Sequence, residues 1–252
     1  MGKDIINQQD QINQMLSLIM DSSHPMPDFV FHYYLDYKKK PEEKIFYDLI
    51  ADSFLTLFSY CKLMFEKAWS QAFAVLRMGI EQVAAVFLLT HMPHALEEYI
   101  EIHRLEYGYL KCVSKESKNE YLKKHNIKGR VSDYFDYGWI SKLREDRKYG
   151  RNQLIEMARL DEFKTDIEET LNAFSHGSIS VFQMNGDNWK VMKRYGRRAS
   201  LTCCKLYGFL CCSYHNLIGS EEFAKTPLNI CYIQFKQIYH DLFVSEGWIK
   251  ND

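Results

Sequence analysis

Apolar residues recur at helical spacing along most of the chain. Over residues 4–21, Ile5, Ile6, Ile12, Met15, Leu16 and Ile19 alternate with Gln, Asn and Asp, the three-to-four-residue period of an amphipathic helix. Ser22 to Pro27 ends it, and the cluster Phe29, Phe31, Tyr33, Tyr34 predicts a short aromatic helix over 28–37. Pro41, Glu42 and Glu43 mark another start. Proline has no N–H to lose at the first helical position, and carboxylates there face the positive end of the helix dipole. Ile50, Phe54, Leu57, Phe58 and Cys61 carry this helix to about Lys67. Residues 69–89 are almost wholly apolar, which predicts a helix surrounded by others at the centre of a bundle. A charged amphipathic helix follows over 95–113, then a polar, irregular excursion over 115–150, with short helices expected at 139–148, 153–160 and 161–174. Ile179, Val181, Phe182 and Met184 precede Asn185-Gly186, and Trp189, Val191 and Met192 follow. Asn-Gly between apolar runs is a hairpin signal. Residues 199–217 and 228–244 read as helices again.

The pattern predicts an all-α multi-helix bundle with a small β-hairpin insertion at 179–195. It forms one domain over 1–252, with helices 1–40 as an appendage and a core at 41–244. Gly and Pro number 12 and 5 in 252 residues, well below the usual combined share of about 12%, as long helices with few connections require. With 46% hydrophobic and 26% charged residues, a large core is available and disorder is excluded. Lys plus Arg is 32 against Asp plus Glu 33, which excludes a globally basic nucleic-acid binder, so any such contact must be local. The seven Cys, with no apolar leader in residues 1–21, predict reduced thiols in the cytoplasm. The longest uninterrupted apolar run, Val83 to Leu89, is short of the roughly 20 residues of a membrane helix, so no contact with a membrane is expected.

Few residues carry chemistry. Arg77 and Glu81 stand four apart on the most apolar helix, in a narrow stripe with Lys67 and Ser70. Charges on such a helix must be paired, because a guanidinium keeps its proton and an uncompensated buried charge costs several kcal/mol. The pair is either a structural tie between helices or the wall of a cleft in which Arg77 meets an anion and Glu81 steadies it. His176, in Leu-Asn-Ala-Phe-Ser-His-Gly-Ser, falls at the predicted C-terminus of a helix, whose dipole favours protonation. It is either a helix cap or a proton carrier, with Asn172 one turn earlier. Lys190, Lys193, Arg194, Arg197 and Arg198 put five cations in nine residues; they form either a solvated face or a seat for a phosphate backbone.

Metal and cofactor signals are absent. Cys203, Cys204, Cys211, Cys212 and His215 share one segment but lack the Cys-x2-4-Cys knuckle of zinc sites, so they read as packed thiols. None of the nine His belongs to a Glu-x-x-His pair, which argues against a di-iron bundle. No Gly-rich phosphate loop occurs, which disfavours kinase, ATPase and dinucleotide chemistry. No metal and no cofactor are expected.

The stretch Ala74-Val-Leu-Arg77-Met-Gly-Ile-Glu81, the region of Trp139 and the stretch Leu171-Asn-Ala-Phe-Ser-His176-Gly-Ser resemble the Leu-Arg-x3-Glu and Ser-His signatures of uncharacterised bacterial all-helical proteins distantly similar to the HEPN superfamily. The resemblance covers about residues 45–220. It implies a helical bundle, often a homodimer, and a metal-independent ribonuclease of a toxin or antiphage defence system, with RNA or a protein of that system as partner. In HEPN ribonucleases an Arg-x4-6-His motif cleaves RNA; here Glu169, Thr170 and Leu171 occupy the positions of the arginine, and Arg77 would supply it from another helix. The resemblance then assigns the proton role to His176, the phosphate to Arg77, the orientation of Arg77 to Glu81 and the ribose to Asn172. The rival reading is a non-catalytic helical module that binds a protein, a nucleotide or RNA through the same pocket, and a third is a purely structural subunit.

Overall fold

A computed structural model describes residues 2–37, 39–92, 94–161 and 195–245, and among these every regular element is helical. In chain order they are α1 (Gly2–Ser23), α2 (Met26–Asp36), a 3₁₀ turn (Pro41–Glu43), α3 (Lys44–Phe65), α4 (Trp69–His91), α5 (Ala95–Leu110), α6 (Lys115–Lys124), α7 (Val131–Tyr137), α8 (Ile140–Leu143), α9 (Arg151–Met157), α10 (Arg197–Ile218), α11 (Ser220–Ala224) and α12 (Leu228–Ser245). The all-α bundle read from the periodicity is the architecture found. The hairpin at 179–195 and the helix at 161–174 fall outside the described residues, apart from their ends at Asp161 and Tyr195.

The buried positions follow the pattern that predicted them. Ile12, Met15, Leu16 and Ile19 of α1 are all within 3% of full burial, as residues spaced three and four apart must be when one helical face meets a core. They pack on α3, α10 and α12. Met26 and Val30 of α2 are equally buried and lie against α3. The N-terminal helices are thus part of the core rather than the expected appendage, because their apolar faces have no other surface to meet. At the heart of the bundle α3, α4 and α10 pack on one another. Gly79 lets α3 and α4 approach closely: a Cβ there would stand 3.3 Å from Thr56 Cγ2 and 3.5 Å from Leu57 Cδ2. Hydroxyl pairs tie distant helices inside this core, Ser22 with Tyr207 at 2.7 Å and Tyr60 with Ser200 at 3.3 Å, so these buried hydroxyls have their partners.

Two further expectations change. The excursion at 115–150 holds two helices, α6 and α7, besides α8, which lies within the short helix expected at 139–148; Ser114 caps α6 by accepting from the Ser117 backbone N–H, a local signal that replaces the missing apolar period. Helix α4 is long and apolar enough by length and composition to cross a membrane, although 61% of its most apolar window is buried among its neighbours. Counting uninterrupted apolar residues missed this, since Glu81 and Gln82 divide the run.

Candidate functional site

One face of α4 remains open instead of being covered on all sides as the sequence suggested. Met78 is half exposed, and Arg77 and Glu81 keep 24% and 22% of their side-chain surface. Glu81 is the centre of a cluster. Its Oε1 lies 3.8 Å from Arg77 of the same helix and 3.9 Å from Arg151 at the start of α9, while Tyr137 at the end of α7 donates its hydroxyl to Oε2 at 2.5 Å. The sequence identified the first pair by its i,i+4 spacing; Arg151 and Tyr137 come from distant segments and carried no signal. Gly150, whose φ of +142° only glycine adopts readily, turns the chain into α9 immediately before Arg151.

Charge and burial in this cluster are unevenly matched. Burial, then the carboxylate of Glu81, push the Tyr137 phenol far above its ordinary value, so it stays a hydrogen-bond donor at every physiological pH. The Nε of Arg77 is buried and has no hydrogen-bond partner. An unmet donor on a guanidinium at a partly open surface is suited to an anion oxygen. Because Glu81 balances two cations and a phenol, Glu81→Ala is expected to lower the unfolding free energy by about 2–3 kcal/mol, below the roughly 3–5 kcal/mol of a fully buried pair. Urea unfolding checks this; a loss under about 0.5 kcal/mol would mean that the cluster is solvated and holds nothing in place.

A cleft of about 300 Å³ opens beside the cluster, with Glu81 and Tyr137 in its wall. His103 of α5 also lines it, and its Nδ1 lies 3.1 Å from Glu106 Oε2. Burial lowers the pKa of this imidazole against the opposing pull of Glu106, which keeps the ring neutral, and a carboxylate on Nδ1 fixes the tautomer with its lone pair on Nε2. The sequence reading passed over this pair, although His103 and Glu106 stand three apart on a helix and share a face.

The other expected site residues separate into two groups. His176, Asn172, Lys190, Lys193 and Arg194 lie outside the described residues. Arg197 and Arg198 open α10 and are exposed, and Arg197 donates to Gln8 Oε1 of α1 at 3.0 Å. Lys67 leaves the polar stripe of α4: it sits in the preceding turn at a φ of +61°, whereas Ser70 remains on the helix. The thiols of Cys203, Cys204 and Cys211 are fully buried on α10, the first two beside Cys61 of α3 and the third beside Tyr207, as packed thiols should be. Cys212 faces Tyr232 at 2.9 Å and His215 faces Ser220 at 3.0 Å. Among the described residues no three His, Cys, Asp or Glu side chains are gathered as metal ligands.

Comparison of the chain with protein-family models, with curated proteins and with solved structures finds no match, so the site is read from its own geometry.

Proposed function

We propose that this chain is an HEPN-like helical protein that holds an RNA phosphate against Arg77 and Arg151 and cleaves the strand without a metal ion, with His176 as proton carrier. The observation that carries the reading is Arg77 itself, a cation on an open helix face whose buried Nε lacks an acceptor while its ion pair with Glu81 stands at 3.8 Å. A phosphate oxygen supplies that acceptor. Glu81 steadies the guanidinium, Arg151 adds a second positive charge, and Tyr137 fixes Glu81 from the far side. Such preorganised donors are what a pentacoordinate phosphate needs, since they stabilise its growing charge without reorganising. Asn172 positions the ribose, the basic run from Lys190 to Arg198 follows the backbone, and two copies of the chain bring two sites to one groove. The reading places the protein in the cytoplasm, in a toxin or antiphage defence system.

The test is binding of a short labelled RNA in EDTA, followed by anisotropy. Lysine keeps the charge of Arg77 but cannot supply Nε, so Arg77→Lys is expected to weaken binding at least about tenfold, which corresponds to the 1.4 kcal/mol within reach of a charge-assisted hydrogen bond. The melting temperature should not change, and wild-type affinity should fall steeply with salt. Equal affinity of the two proteins would overturn the assignment of Arg77.

A second reading rests on a different observation. Because the Arg-x4-6-His motif is broken at Glu169, Thr170 and Leu171, the chain would bind RNA, a nucleotide or a protein without cleaving. Incubation of wild type with total RNA and EDTA separates the two: cleavage supports the ribonuclease, and binding without cleavage supports the module.

A further inference from the structure

At the junction of α5 and α6, apolar side chains stand in water among lysines that form no ion pair. Residues 111–114 join the two helices, and α6 returns along the end of α5. The ring centroids of Tyr109 and Tyr121 lie 6.4 Å apart, and Gly108 faces the Tyr121 hydroxyl, where a Cβ would overlap it. The turn so made is convex. Tyr107 and Leu110 are 63% and 66% exposed, and Val113, at 99%, touches almost nothing of its own chain. Lys111 stands between these residues in the chain and Lys115 just after them, both exposed. The Lys111 ammonium rests 4.2 Å from the centre of the Tyr107 ring, a contact that leaves its charge in place. Over residues 107–128, six lysines stand against Glu116 and Glu120, in a chain whose net charge is −1. None of the six forms an ion pair among the described residues, whereas Lys44, Lys62 and Lys225 each meet a carboxylate within 4.0 Å.

We propose that this turn docks on an anionic lipid bilayer, with Leu110 and Val113 entering the acyl boundary and Lys111 and Lys115 meeting the lipid phosphates. Charge and shape select that occupant. Lysines without acid partners require an anionic surface. A nucleic acid satisfies the charge but leaves Leu110 and Val113 in water, because an aliphatic side chain offers no plane on which a base stacks. A bilayer satisfies both. Its headgroups take the ammonium groups, and its acyl boundary takes the apolar side chains, whose removal from water is favourable in proportion to their area. Tyr107 suits the level between, with an apolar ring and a polar tip. A convex turn carries its side chains outward, as entry into a bilayer requires. Contact of this kind needs no spanning helix, so the length of apolar run that a span demands does not bear on it. It is also independent of the RNA reading, since it uses no residue of the Arg77 cluster.

The full chain is sedimented with vesicles of phosphatidylcholine alone and with vesicles of phosphatidylcholine mixed two to one with phosphatidylglycerol. Binding to the anionic vesicles is expected to be at least about tenfold tighter than to the neutral ones, and to weaken as salt rises. The double variant Lys111→Gln with Lys115→Gln should lose about tenfold or more on the anionic vesicles, since one lysine near such a surface is worth about fivefold. Val113→Asp should lose at least about tenfold, the worth of burying a valine side chain, with the unfolding transition unmoved because Val113 is exposed. Equal binding to both vesicles, binding to neither, or anionic binding unchanged in either variant would each overturn the proposal. A short RNA that binds wild type and is lost by the lysine variant, with no binding to vesicles, would give the surface to a nucleic acid instead.

Discussion

Replacing His176 by alanine is expected to slow RNA cleavage in EDTA by about 10²- to 10⁴-fold, the usual worth of a positioned acid or base, without moving the unfolding transition. In the proposed reaction the 2′-oxygen attacks phosphorus and the bond to the 5′-oxygen breaks, giving a 2′,3′-cyclic phosphate and a free 5′-hydroxyl. One proton must leave the 2′-hydroxyl and one must reach the 5′-oxygen. An imidazole performs both tasks near neutral pH because its charge changes between pH 5 and 8, whereas Arg77 keeps its proton and serves only the phosphate charge. The assay compares wild type, His176→Ala and His103→Ala on one labelled RNA. Equal cleavage by all three would identify a contaminating nuclease. Loss in His103→Ala alone would move the chemistry to the imidazole that Glu106 orients and overturn the role of His176.

The largest loss of stability is expected from Trp139→Ala, about 3–5 kcal/mol. Trp139 is 1% exposed and is the bulkiest side chain buried to this degree. It joins the short helices α7 and α8 to α5 through its edge-to-face contact with Tyr99, and its Nε1 donates to the backbone oxygen of Asp136 at 3.3 Å. Alanine leaves a cavity that these short elements cannot close, because Tyr99, which packs on Trp139, and Leu154, which lines the same cleft, belong to two other helices, α5 and α9. Trp139→Phe keeps a ring and loses the hydrogen bond, so it should cost about half as much or less. Urea unfolding measures both. A cost under about 1 kcal/mol for Trp139→Ala would show that α7 and α8 are anchored elsewhere, and would remove the wall that shapes the cleft.

Helix content was legible in the sequence because it rests on neighbouring residues. The period of Ile12, Met15, Leu16 and Ile19, the start at Pro41 and the apolar span from Trp69 onward each gave a helix that the structure reproduces within a few residues. The polar excursion did not announce its helices, because Lys115–Lys124 has no buried residue and so no apolar period to read. The pair Arg77 and Glu81 was visible for the same local reason, being one turn apart on one helix.

Convergence of segments was not legible. Spacing along one helix says which face carries Arg77 and Glu81. Whether another helix covers that face depends on how α4, α7 and α9 pack, and packing energy is shared among residues far apart in sequence. The chain alone determined the helices, their apolar faces and the presence of a costly ion pair. Only the tertiary structure brought Arg151 and Tyr137 to Glu81, joined α1 and α2 to the core, and opened a cleft lined by Gln82, His103 and Asp136 from three separate helices.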